Sequence, residues 1–479
     1  MNRRRFFKRL CAAAAAGSFP RFVARWAYGG PRGPERKNVL FLAIDDLNDW
    51  VGCLGGHPDA KTPNIDRLAS RGVLFERAFC SAPLCNPSRA SLLTGLNPST
   101  TGVYRNDHIW RAAPKLKGVV TLPHLFRLNG YYVAGGGKIF HGGQNDPDAW
   151  EFYFSKGSYP RPPRLPANGI PGLGNLDWGP IDVPEERIKD TLVAEWAASE
   201  LRKNHKKPFF IGCGIFRPHL PWYVPRKYFE LFPPERVHLP EINERDLDDV
   251  PPIPRKWAHP EVHRRIMKYG KWREGVAAYL ACGAYADACI GRVLAALEES
   301  PHKDNTVVVL WCDHGWHLAE KLHWKKFTLW EESTRTPLVF VAPGVTTPGA
   351  RCSRTVSLLD IYPTLVELCS LPRTRNLEGM SLVRFLKNPL AARSRPALTT
   401  FLRGNHSVRT ERWRYTRYRD GTEELYDHKN DPLEWTNLAG RKEYGELKGA
   451  LARFFPKHNE PDAPSLGGRR RRRRKSGRL

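Results

Sequence analysis

Apolar residues in this chain fall in short unbroken runs that stop on acidic or polar residues. Asn38 to Ile44 ends at Asp45-Asp46, and Thr306 to Cys312 ends at Asp313-His314. Runs this short, without alternation, predict strands buried on both faces of a sheet covered by helices. Further strands are expected at Tyr131 to Ala134, Phe209 to Ile215 and Pro337 to Ala342. Helical spacing appears between them. Thr62-Pro63 offers a start and Gly72 a stop, predicting a helix over Pro63 to Arg71. Ile188, Leu192, Val193 and Trp196 share one helical face, and Arg273 to Glu299 reads as a long Ala-rich helix. Pro160 to Gly179 is dense in Pro and Gly and predicts a loop that shapes the entrance to a site. Past residue 392 the pattern changes to short alternating or aromatic runs at Pro396 to Phe401, Ser407 to Arg409, Trp413 to Tyr418 and Leu425-Tyr426, which predict a small antiparallel sheet. Buried strands alternating with helices make this an α/β layered fold, with a ligand site beyond the carboxyl ends of the strands.

A chain of 479 residues, 41% hydrophobic, can bury a large core and is expected to divide into a catalytic domain over 36–392 and a small C-terminal domain over 393–466. The net charge of +27 suggests a nucleic-acid binder until its distribution is read. Residues 1–37 carry +9 and residues 469–479 carry +8, which leaves +10 for the body, so no specific nucleic-acid partner is expected. Within the tail over 467–479, the run Arg469 to Lys475 has nothing apolar to bury, and the tail reads as a basic disordered appendage, suited to holding the protein near an acidic polysaccharide or membrane surface. At the other end, Asn2-Arg3-Arg4-Arg5-Phe6-Phe7-Lys8 resembles a twin-arginine export motif, and a short apolar run follows it. Residues 1–30 are therefore expected to be a removable signal peptide read by the twin-arginine translocase, and the protein to be an exported bacterial one, periplasmic or extracellular. The longest later apolar run, Val276 to Ala286, is stopped by Asp287, so no permanent membrane span is expected. Ten cysteines include no C-x-x-C pair, which excludes zinc-ribbon and thioredoxin-like readings; Cys213, Cys312 and Cys369 sit in apolar runs as small core residues.

The candidate chemistry lies at three places. Cys85-Asn86-Pro87-Ser88-Arg89 opens a helix-like run in which Pro87 suits the first turn. Cys85 then lies where backbone N–H groups point outward toward an anion, and Arg89 adds a forked cation. A bare thiol there could be an activated nucleophile. The phosphatase-type thiolate loop is a poor match, because it wants arginine six positions after the cysteine and Ser91 stands there. Asp45, Asp46, Asp313 and His314 terminate two predicted strands, and if these are neighbours the side chains converge. Adjacent carboxylates repel unless a cation sits between them; oxygen donors favour Ca²⁺ or Mg²⁺, and His314 is a softer donor.

Cys85 to Gly95 spell C-x-P-S-R-x-x-x-L-T-G, which resembles the signature of formylglycine-dependent type I sulfatases. The likeness continues in order through Thr62-Pro63-Asn64-Ile65-Asp66-Arg67-Leu68, Gly136-Gly137-Lys138-Ile139-Phe140-His141, Arg217-Pro218-His219-Leu220-Pro221, Asp313-His314-Gly315, Trp324-Lys325-Lys326 and Asp360-Ile361-Tyr362-Pro363-Thr364-Leu365. It is similar to the iduronate-2-sulfatase group and its bacterial relatives, departing at Leu96, where many members have arginine. The resemblance implies an alkaline-phosphatase-like fold with a central mixed, mainly parallel sheet. It implies one Ca²⁺ held by Asp45, Asp46, Asp313, His314 and modified Cys85, with Arg89, Lys138, His141, His219 and Lys326 around a sulfate. It also implies a formylglycine-generating enzyme as a partner and a sulfated carbohydrate as substrate. An aldehyde at position 85 hydrates to a diol, and one hydroxyl attacks sulfur as the alcohol departs. The second then loses its proton and re-forms the carbonyl, expelling sulfate. His219 would protonate the leaving oxygen and His141 would orient or deprotonate the diol. Two other functions fit parts of the pattern: a phosphodiesterase or phosphonate monoester hydrolase of the same superfamily, and a polyanion-binding protein with an inactive pocket.

Overall fold

The computed structural model describes residues 36–372, 374 and 376–467. The expected signal segment over 1–30 and, apart from Gly467, the basic tail over 467–479 lie outside the described residues. Strand Asn38–Asp45 is the middle of a nine-stranded sheet ordered Arg335–Thr336, Val73–Phe79, Leu338–Val341, Thr306–Cys312, Asn38–Asp45, Phe209–Pro218, Tyr132–Gly137 and Phe152–Phe154, with Ala350–Ser357 added beside Val73–Phe79. The strands from Thr306 through Phe154 run parallel to one another, and antiparallel pairing enters with Leu338–Val341 and Arg335–Thr336. The sheet is thus mixed and mainly parallel. Alternate side chains of the central strand feed two cores, Leu40, Leu42 and Ile44 on one face and Val39, Phe41 and Ala43 on the other. All are fully buried, each of the larger ones contributing about 1.5–3 kcal/mol, which explains why the run has no polar alternation.

Helix Trp272–Glu299 covers one face. By length and composition it could cross a membrane, yet 78% of its apolar window is buried inside the protein. It is a core helix. Asp287 does not interrupt it; the carboxylate instead accepts the amides of Asn64 and Ile65 at 3.2 and 2.8 Å, capping helix Pro63–Ser70 from a distance in sequence. Thr62, the expected cap, makes no capping bond and instead links Gly52 N and Asp66.

The four strands Ala397–Thr400, His406–Arg409, Trp413–Arg417 and Glu423–Asp427 form the antiparallel sheet near the C-terminus. The expected boundary at 392–393 falls in a stretch without regular structure, and the two sheets meet directly across it: Thr400 N donates to Ser81 O at 2.9 Å. The described residues from Arg36 onward belong to one compact unit. A buried ionic junction stitches them together, with Arg414 bridging Glu331 and Glu434 and Arg409 bonded to Glu331. Among the described residues all nine cysteines are free.

Candidate active site

Register places the site. Ile44 lies opposite both Cys312 and Ile215, so the parallel strands end together, and Asp45-Asp46, Asp313-His314 and the Pro218-His219 turn emerge at one edge. On the far side of Phe209–Pro218, Gly137 pairs with Gly214. A Cβ on either glycine would collide with the backbone opposite, and Gly137 has φ +73, so glycine here lets the chain pass closely and deliver Lys138 to the same edge. Helix Cys85–Thr94 supplies the fifth contribution. Leu84 precedes it, and Gly95 ends it in the left-handed region, its amide bonded to Ser91 O. Every residue of this helix is buried, so it has no solvent-facing side. The Asn86 amide is satisfied by Asn106 Oδ1 at 2.9 Å, so positive charge around position 85 comes chiefly from side chains.

Successive side chains of an extended strand point to opposite faces. Asp46 escapes that alternation because its φ of 62° turns the chain after Asp45, and both carboxylates face Cys85. The turn is held by Asp46 N donating to Asp313 Oδ1 at 3.2 Å and by the Tyr279 hydroxyl donating to Asp46 O at 2.8 Å. Cys85 Sγ lies 3.1 Å from Lys326 Nζ, 3.4 Å from His314 Nε2, 3.8 Å from Lys138 Nζ and 3.9 Å from Asp46 Oδ1. Lys326 Nζ also bonds Asp46 Oδ1 at 2.6 Å, and Lys138 bonds Asp45. His219 Nε2 approaches Asp46 Oδ2 at 3.9 Å, and its side chain is 21% exposed, open to an incoming ligand. Its Nδ1 donates to Leu220 O at 2.7 Å, leaving Nε2 for the site.

Electrostatics follow from this crowding. Burial would raise the Cys85 thiol, but Lys138 and Lys326 hold it well below its usual range. Burial likewise works against ionised Asp45 and Asp313, yet Lys138 keeps the first low and Arg89 the second. At Asp46 burial prevails and the carboxyl is raised.

A divalent cation fits this donor set. Ligand atoms of Asp45, Asp46, Cys85 and His219 lie within 4.8 Å of one another, as do those of Asp45, Cys85, Asp313 and His314. Asp46 Oδ2 is buried without a hydrogen-bond partner. His314 Nδ1 donates to Gly315 O at 3.1 Å, which leaves Nε2 as a lone-pair donor.

Two of the residues expected around the sulfate make other contacts in the structure. Arg89 is fully buried and all its donors are occupied: Nε with Asp313 Oδ2 at 2.8 Å, Nη2 with Asp45 Oδ1 at 3.1 Å and Ile44 O at 3.4 Å, Nη1 with the carbonyls of Lys138 and Ile139. It fixes the carboxylates and has no donor free for a sulfate. His141 is half-buried with Nδ1 unpartnered, and among the described residues no hydrogen bond or ion pair joins it to the cluster, because the chain turns after Lys138. Three residues that sequence reasoning missed help build the site. Tyr279 braces the Asp46 turn, Trp316 lies 5.4 Å beneath Lys326, and Phe216 lies 4.9 Å from Lys138. Tyr279 belongs to the Ala-rich helix, where nothing local marks it.

The family model described as Sulfatase matches residues 37–371, and that described as N-sulphoglucosamine sulphohydrolase, C-terminal, matches residues 314–460. A protein named Sulfatase from Formosa agariphila is 38% identical over 459 residues, covering 89% of this chain and 87% of that protein. Human iduronate 2-sulfatase is 30% identical over 395 residues, covering 70% and 69%. A solved structure described as a 2-O GAG sulfatase superposes with a TM-score of 0.71 at 25% identity, covering 87% of this chain and 90% of that one.

Proposed function

From the premise that the chain belongs to the sulfatase family and is a sulfuric ester hydrolase with an alkaline-phosphatase-like fold, we propose that it removes sulfate from sulfated carbohydrates, using formylglycine formed from Cys85 and one Ca²⁺. One observation carries this reading: Cys85 stands within 4 Å of two lysines, a histidine and a carboxylate, all from other parts of the chain. Asp45, Asp46, Asp313 and His314 would hold the cation. When bound, it supplies Lewis-acid charge beside residue 85 and offsets the three carboxylates that Arg89, Lys138 and Lys326 only just balance. Lys138 and Lys326 grip the sulfate oxygens as charge moves to the leaving alcohol. His219, open to the surface, protonates that oxygen. Carbohydrate as substrate rests on the iduronate and GAG sulfatases the chain is similar to. Export through the twin-arginine route to the periplasm or beyond rests on Arg3-Arg4-Arg5-Phe6-Phe7.

The deciding experiment is turnover of a panel of sulfated mono- and disaccharides beside matched phosphate and phosphonate esters. Sulfate release in excess supports the proposal, and preference for phosphorus would move the chain to the hydrolases of that element. Lys326→Ala is expected to lower kcat about 10²–10³-fold, as for removal of one positioned charge; a loss below about threefold would take Lys326 out of the sulfate grip. Chelation of the purified protein should abolish activity and lower the melting temperature, and Ca²⁺ should restore both. At a hundredfold excess over Kd the stabilisation is about 2.7 kcal/mol. Full activity in a demetallated sample would refute the assignment of the carboxylates.

A further inference from the structure

Three rings stand in file beside the cluster. Tyr159 lies 4.7 Å from Phe216, and Phe216 lies 4.4 Å from the imidazole of His219, with interplanar angles of 36° and 31°. Lys138 Nζ lies 4.9 Å over the same Phe216 ring, so one aromatic side chain touches two of the groups that flank Cys85. Behind the file is Asp190, fully buried in the first turn of helix Lys189–Leu201. It accepts the Tyr159 hydroxyl at 2.9 Å and the amides of Phe216 and Arg217 at 2.9 and 3.0 Å. Arg217 faces both aromatic rings and donates to the carbonyl of His219 at 2.9 Å. Tyr159 is brought in from the loop by Ser158, whose carbonyl accepts Lys189 N at 2.9 Å.

We propose that Asp190, Tyr159 and Phe216 are positioning residues that hold the His219 ring at the angle from which it protonates the departing alcohol. The proposal rests on the reading of His219 as the leaving-group acid. In that step a hydroxyl oxygen of the hydrated residue 85 bonds to sulfur as the sulfur–oxygen bond to the alcohol breaks; the electron pair of that bond stays on the alcohol oxygen, which takes the proton from Nε2 of the protonated imidazole and leaves it neutral. The Nδ1 bond to Leu220 fixes one edge of the ring but leaves rotation about the side-chain bonds. Packing against Phe216 removes that freedom, and Asp190 fixes Phe216 through its own backbone and through Tyr159. A catalytic group displaced by about 1 Å can lose about 10²-fold in rate.

Such a role has a signature that general loss of structure lacks. An ester whose leaving group is already acidic departs without a proton, whereas a poor leaving group needs one. The test is kcat/KM for aryl sulfates from 4-nitrophenyl sulfate to unsubstituted phenyl sulfate, in the parent, Phe216→Leu, Phe216→Tyr, Tyr159→Leu and His219→Ala. Phe216→Leu and Tyr159→Leu are expected to lose about threefold or less on 4-nitrophenyl sulfate and about 10–100-fold on phenyl sulfate, while Phe216→Tyr, which keeps the ring, follows the parent. His219→Ala should show the same selectivity more strongly, and Phe216→Leu added to it should cost no further selectivity. A uniform loss across the series in Phe216→Leu overturns the positioning role alone. A uniform loss in His219→Ala overturns the acid and the proposal with it. Absence of sulfate release by the parent from every ester, aryl and carbohydrate alike, would strike the sulfatase reading instead.

Discussion

Cys85→Ala is expected to eliminate turnover, by at least about 10⁴-fold, while the protein keeps its fold. No other change at the site removes an entire chemical route. On the proposed route the hydrated aldehyde derived from Cys85 attacks sulfur through one hydroxyl and expels sulfate as the other re-forms the carbonyl; a methyl group can do neither. The structural cost is small. Cys85 is buried, its sulfur is bordered by Lys138, Lys326 and His314, and each of these retains a carboxylate partner after substitution. Removing one buried sulfur is expected to cost about 1 kcal/mol, visible as a shift of a few degrees in melting temperature. A mass spectrum of the peptide spanning Cys85 in the parent should show the aldehyde or its hydrate in place of the thiol. Parental sulfate release from Cys85→Ala would end the case for a nucleophile at position 85.

Arg89→Met is expected to destabilise the protein by about 3–5 kcal/mol, the second large effect, and by a different mechanism. The Arg89 guanidinium joins Asp45 on the central strand to Asp313 on its neighbour, and all three side chains are fully buried. Removing it leaves Asp313 without its arginine and Asp45 with Lys138 alone in a site shielded from water, so the cost is that of a buried carboxylate stripped of its cation. Saturating Ca²⁺ should recover part of the loss, since a divalent cation neutralises the same oxygens, and the calcium-dependent rise in melting temperature should exceed that of the parent. Had Arg89 gripped the substrate, as the family resemblance implied, the substitution would impair turnover and leave stability unchanged. Chemical denaturation with and without Ca²⁺ separates the two. A change below about 0.5 kcal/mol would return Arg89 to the substrate.

Much of the fold was legible in the chain. The runs at Asn38, Phe209 and Thr306 were readable because a strand buried on both faces has no polar alternation, and all three are strands at or within a few residues of the expected limits. Strands Val73–Phe79 and Ala350–Ser357 escaped notice because Glu76, Arg77 and several polar residues interrupt them; they lie beside each other toward one side of the sheet, where burial is incomplete. Around the site, the cysteine motif and the paired acids were visible because their chemistry is concentrated in a few adjacent residues. Tyr279, Phe216 and Asp190 were not: Tyr279 reaches Asp46 across 233 residues, and the packing of Phe216 on His219, like the bonds from Asp190 to Phe216 and Arg217, depends on how the chain turns after its strand.

Local pattern and residue chemistry therefore specified the strands, the modified-cysteine signature and the candidate ligands, because periodicity and motif spacing are properties of neighbours along the chain. Which of those ligands meet, and what each one does there, depended on strand order and register. The central strand carries Asp45 between the strands bearing Asp313 and His219. A left-handed turn at Asp46 brings a second carboxylate to the same side. Close packing around that point occupies every donor of Arg89 and leaves His219 partly open. These outcomes follow from the geometry of contacts between segments hundreds of residues apart, which no local pattern encodes.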